Sequence, residues 1–153
     1  MYWRILTVFV FCLFSLSNLK AQDILERNKD FKGATATEDH YKVVFQMDQG
    51  APETIKKVFR NINNLLKDPR LSGKLEIELV AFSGGTEAYR KGSEYEQALI
   101  NLIKQGVQVV QCSNTLIERK INKSELYDFL AYVPTGNGEL VIRAKQGWVI
   151  IKP

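Results

Sequence analysis

Between Tyr41 and Pro153, short apolar runs alternate with segments whose apolar residues recur at helical spacing. A run without polar alternation suits a strand buried on both faces, and a helix between two such strands is how parallel neighbours are joined. The alternation predicts an α/β fold built on a five-stranded, mainly parallel sheet.

The expected strands are Tyr41 to Met47, Leu75 to Phe82, Val107 to Gln111, Ala131 to Val133 and Trp148 to Ile151. Pro52 opens the first helix at a position where a missing N–H costs nothing, and Ile55, Val58, Phe59, Ile62, Leu65 and Leu66 form its apolar stripe until Pro69. Ser93 and Glu96 have the spacing of a capping box for a helix carrying Ala98, Leu99, Leu102 and Ile103, closed by Gly106. A short helix is expected over Leu116 to Lys120. Another should open at Asn122 and Glu125 with Leu126, Phe129 and Leu130 inward, and Pro134 to Gly138 reads as a turn before a last helix over Glu139 to Gln146.

Ahead of this domain lie two other segments. Met1 to Arg4 is basic, Ile5 to Leu16 is apolar, and Leu19 and Ala21 are placed as a secretory cleavage site requires; the apolar run is far short of the ~20 residues that cross a bilayer. The reading is a signal peptide over 1–21, export to the periplasm or beyond, and no membrane span after cleavage. Phe11 before Cys12 is too large for a lipoprotein site. Gln22 to His40 is polar, with Ile24, Leu25 and Phe31 but no sustained period, and is read as a leader that is loose or lies over the domain. The domain itself is expected over 41–153.

The full chain carries 21 Lys and Arg against 17 Asp and Glu, a net +4, without a basic run that could follow a phosphate backbone, so no nucleic-acid partner is indicated. Removing the address takes away Arg4, Lys20 and Cys12, which leaves 19 basic against 17 acidic side chains and one thiol, Cys112. A single His and so few Cys cannot build a four-coordinate structural zinc site, and no metal is expected.

A lone thiol in an exported domain has no intramolecular disulfide to make. Cys112 ends the third strand and is followed by Ser113, Asn114 and Thr115, residues that start helices, so backbone N–H groups should lie near the sulfur and favour its reactive anion. The competing reading is a buried thiol packing as a small hydrophobe. His40 precedes the first strand at its amino end, roughly 20 Å from the carboxyl edge at about 3.3 Å per residue, so a Cys/His dyad is not expected.

Parallel order would put Gln49, Gly84, Gly85, Cys112, Asn114, Thr115 and Thr135 in loops at the carboxyl edge, where open α/β sheets bind ligands. The loop Asp48 to Pro52 offers an acid and no hydroxyl for a phosphate, and Gly136-Asn137-Gly138 is only half of a dinucleotide fingerprint; no cofactor is expected.

Tyr41-Lys42-Val43-Val44-Phe45-Gln46, the Gly84-Gly85 turn and above all Val109-Val110-Gln111-Cys112-Ser113-Asn114-Thr115-Leu116 resemble the DsrE/DsrF-like family over Tyr41 to Pro153. The resemblance implies a three-layer α/β/α fold, flavodoxin-like in outline, with a five-stranded parallel sheet and commonly homo-oligomers. It also implies that Cys112 matches a cysteine that carries sulfur as a persulfide in relays serving sulfur oxidation or tRNA thiolation. Three readings follow. The first is an exported sulfur carrier exchanging with a thiol-bearing partner protein or a small sulfur compound. The second is a non-catalytic ligand-binding or assembly module with a structural Cys112, and the third a thiol-dependent enzyme without histidine assistance.

Overall fold

The computed structural model describes residues 22–153. The expected signal peptide, with Cys12, lies outside the described residues. Residues 22–35 belong to a separate unit from Ala36–Pro153. Within the first, residues 22–29 of the segment read as a polar leader are helical and exposed. The signal missed there was charge rather than apolar period: Asp23 pairs with Arg27 and Glu26 with Lys29, four and three residues apart on one helix side.

In the second unit the strands are β1 (Tyr41–Met47), β2 (Leu75–Ala81), β3 (Gln108–Cys112), β4 (Ala131–Val133) and β5 (Val149–Ile151). All pair in parallel, in the order β4-β3-β2-β1-β5. Helices α1 (Pro52–Leu66), α2 (Glu96–Lys104), α3 (Ser113–Arg119) and α4 (Gly136–Lys145) connect them. The chain steps from β1 to β4 in one direction and then reverses to place β5 beyond β1. Because parallel crossovers are right-handed, the reversal sends α4 to the face opposite the other helices.

Packing shows that split. Val43, Phe45, Met47, Ile77, Leu79, Ala81 and Val109 face Ile55, Val58 and Ile62 of α1, Leu99 and Leu102 of α2, and Leu116 of α3 in one core. The alternate residues Val44, Val80 and Val110 meet Leu140 of α4 and Trp148 in a second, smaller cluster, with Phe82, Ala131 and Val133 at its margin.

Three local expectations give way to the structure. Ser93 does not cap α2, whose N-cap is Tyr95 with no side-chain hydrogen bond. The Ser93 hydroxyl instead donates to the Ala88 carbonyl and meets the Tyr127 hydroxyl, at 3.0 and 3.1 Å. The Asn122–Glu125 box does form, but it starts only a 3-10 turn over Lys123–Glu125. Beyond it Tyr127 N–H donates to the Tyr89 carbonyl and Leu126 bridges Arg90 in antiparallel fashion, so those backbone groups are committed outside a helix. Finally, Gly136-Asn137-Gly138 is not a turn but the first turn of α4, with Thr135 Oγ1 accepting from Gly138 N–H at 3.1 Å.

Candidate functional site

Cys112 is the last residue of β3 and at the same time the N-cap of α3, where its Sγ accepts from Thr115 N–H at 3.4 Å. It is the free cysteine among the described residues, and only 4% of it is exposed. The polypeptide leaves β3 for the three-helix face and leaves the adjacent β4 for the opposite face. Such a divergence is the switch point at which open α/β sheets form a crevice beyond their carboxyl ends. Cys112 and Thr135 sit on its two sides, and Asn114 N–H, donating to the Pro134 carbonyl at 3.0 Å, ties the two connections together.

The loop after β2 is joined to this place by two side chains of α3. Ser83 N–H donates to Thr115 Oγ1 at 3.0 Å, and Arg119 donates to the Ser83 carbonyl at 2.7 Å while pairing with Glu87 at 2.6 Å. Ser83 is held at φ +50°, in the left-handed region that side chains disfavour. The next two residues are glycines because two loops meet there. Gly84 N–H bonds the Asp48 carbonyl at 3.0 Å, and a Cβ on Gly84 would stand 2.8 Å from the Gly50 nitrogen. A Cβ on Gly85 would collide with the Met47 carbonyl.

Of the residues expected from the sequence, Cys112, Asn114, Thr115 and Thr135 gather around the β3–β4 divergence. Gly84 and Gly85 serve the approach of the β1 and β2 loops, and Gln49 is exposed on the β1 side, two strands from β3. His40 lies immediately before β1, at the amino edge of the sheet. Sequence reasoning missed Phe82, Ser83 and Arg119. The hydroxyl of Ser83 gave no hint of its backbone conformation, and nothing in the sequence around Arg119 marks its contacts with Ser83 and Glu87. Gln111, fully buried, donates to Thr86 Oγ1 and the Cys112 carbonyl at 3.1 and 2.9 Å, which stiffens the end of β3 from the three-helix side. Among the described residues no three His, Cys, Asp or Glu side chains cluster as a metal ion would need.

A second polar group lies deeper on the α4 face. Glu78, in the middle of β2 and wholly buried, has a carboxylate oxygen 2.7 Å from the Arg143 guanidinium, which also meets Glu139 at 2.8 Å. Burial raises the Glu78 carboxyl above its ordinary value, Arg143 opposes the rise and Glu139 adds to it. The guanidinium stacks on the Trp148 ring at 4.2 Å.

Comparison with known proteins places this architecture. The DsrE/DsrF-like family model matches residues 20–153. Among solved structures, a protein of unknown function, MTH1491 from Methanobacterium thermoautotrophicum, shares 34% identity, covering 74% of this chain and 99% of that one with a TM-score of 0.69. The ychN protein from E. coli shares 19% identity over 74% and 99% of the two chains, TM-score 0.60, and shows the fold alone. So does the conserved protein of unknown function BT1422 from Bacteroides thetaiotaomicron, with 12% identity over 79% and 100% and a TM-score of 0.54. Among curated proteins no match was found. The chain belongs to the DsrE/DsrF-like family, a family associated with sulfur relay.

Proposed function

We propose that the protein is an exported sulfur carrier that holds a persulfide on Cys112 and passes it to a partner thiol. The observation that carries this reading is the position of Cys112 at the divergence of β3 and β4, with an N–H group aimed at its sulfur. In the loading step the Cys112 thiolate attacks the sulfane sulfur of a persulfide or polysulfide donor. One S–S bond forms, one breaks, and the electron pair of the broken bond leaves on the donor thiolate. Unloading repeats the exchange with a partner thiolate attacking the outer sulfur and Cys112 as leaving group. No cofactor is consumed and no net oxidation occurs, and the lack of a second thiol in the mature chain suits a carrier that resolves against a partner.

The burial of Cys112 favours a second reading, in which the thiol packs as a small hydrophobe and the family fold serves ligand binding or assembly of copies. Intact mass after incubation with polysulfide separates the two. A carrier gains one sulfur that dithiothreitol removes, and Cys112→Ser gains none. An unmodified wild-type mass removes the carrier reading.

A further inference from the structure

The thiol that this reading uses is almost sealed, so some element must move before any donor reaches it. Strand alternation assigns the element. Val109 points into the three-helix core and Val110 toward α4, which turns Cys112 to the α4 side as well. Its register neighbour on β4 is Val133, and just past the end of β2, one step beyond the Ala81–Gln111 pair, comes Phe82; both pack against the α4-side cluster. Above Phe82 lies the first turn of α4. It comes so close that a Cβ on Gly136 would be 2.5 Å from the Phe82 ring.

We propose that the start of α4, Gly136 to Gly138 with Phe82 beneath it, is a gate over Cys112 that opens while the rest of the helix, from the Glu139–Arg143 pair onward, stays docked. The two ends of α4 are held very differently. Toward its carboxyl end, Leu140 is packed on Val44, Val80 and Val110, and Arg143 is fixed between Glu78, Glu139 and the Trp148 ring. At its start two of the first three residues are glycines, which helices hold poorly, Pro134, Thr135 and Asn137 are exposed, and the cap is a single hydroxyl. Segments with few buried apolar contacts open at the low end of the free-energy range, well below global unfolding. On this account Gly136 lacks a side chain so that the turn can close flat on Phe82, and closure hides the sulfur between encounters.

The inference deepens the carrier reading by naming what controls access to the same thiol, and its test is independent of sulfur transfer. The rate at which iodoacetamide alkylates Cys112 would be followed by intact mass in the folded full domain. Gly136→Ala, which pushes the turn off Phe82, and Phe82→Ala, which removes the floor, are each expected to speed labelling by about tenfold, the change for roughly 1.4 kcal/mol off the cost of local opening. Asp68→Ala, which removes the cap of the Pro69–Leu71 turn at the far edge, is expected to change the rate less than about twofold. Wild-type labelling should also be nearly flat in low urea, because a local opening exposes little surface. The gate is overturned by equal acceleration in all three variants, by none in the first two, by a labelling rate in urea that tracks global unfolding, or by wild-type labelling as fast as in the unfolded chain. Polysulfide loading of Cys112 would stand or fall separately in the mass experiment above.

Discussion

The two faces of the sheet are built to different standards. On one, α1, α2 and α3 cover the strands, and the interior is continuous from Ile62 through Leu79 to Leu102, each wholly or almost wholly buried. On the other, α4 alone crosses from β4 to β5, its outer residues Val141 and Ile142 are exposed, and beneath it lies the buried carboxylate of Glu78. The polar groups that the three-helix face buries, Gln111 and Thr86, are neutral and bonded to each other, whereas the face with one cover buries a charged pair, Glu78 with Arg143. On the gate proposed above, the face with one cover is the one that opens without unfolding the other.

The largest expected effect tests this contrast with one chemistry at two places. Leu79→Ala on the three-helix face should cost about 3 to 4 kcal/mol, because the rigid surroundings leave most of the cavity unfilled. Leu140→Ala under α4 should cost about 2 kcal/mol, since a helix held by few neighbours can settle into the gap. Urea unfolding measures both, and equal losses would mean the faces are equally rigid.

The same contrast explains what could be read from the sequence. The central strands β1, β2 and β3 are largely buried on both faces, and their limits fall within one residue of the expected ones even though Glu76 and Glu78 interrupt the apolar run of β2. Helix α1 carries its stripe on a wet background and was legible from it. The start of α4 was not, because its glycines are chosen for contact with Phe82 and look like turn residues when that contact is unseen. Ser93 and Glu96 have the spacing of a cap, but a hydroxyl has few partners to give, and tertiary neighbours claimed it first. The position of Cys112 at a strand end was legible from the sequence. Its burial depends on how distant segments of the chain pack around the end of β3, which no local pattern encodes.

Glu78 offers a sharper cut through the thinly covered face. Its carboxyl is raised from an ordinary value of 4.5, chiefly by burial, so the folded state holds a proton more tightly than the unfolded chain. Below about pH 4.5 both states are largely protonated and the group costs little. As pH rises through the interval up to the folded value, charging penalises the folded state, and above it the penalty is complete. Glu78→Gln removes the charge, while Arg143 keeps Glu139 as a partner. Relative to wild type the variant should therefore be more favourable at pH 7 than at pH 4, on top of a cost of leaving Arg143 one partner short that is present at both. A difference between variant and wild type that is the same at both pH values would show that burial does not raise the Glu78 carboxyl.

The smallest effect concerns backbone strain in two different connections, just after β2 and at the end of α3. Among the described residues Lys120 and Ser83 are the non-glycine positions with positive φ, at +54° and +50°. Lys120 closes α3 on the well-covered side, its N–H donating to the carbonyls of Ile117 and Leu116, and nothing at the candidate site depends on its side chain. Glycine there removes about 1 kcal/mol of left-handed strain but gives back about 0.4 to 1 kcal/mol as extra freedom of the unfolded chain. Lys120→Gly should gain a few tenths of a kcal/mol at most, visible as a small rise in the urea midpoint. Ser83→Gly makes three consecutive glycines and loosens a loop held by Thr115 and Arg119, so the same change of residue type should bring no gain. Strain can then be relieved without penalty at the end of α3 but not beside Cys112, where the left-handed serine keeps the β2 loop pressed against the helix that the thiol caps. An equal rise in midpoint for both variants would show that the loop needs no such stiffening.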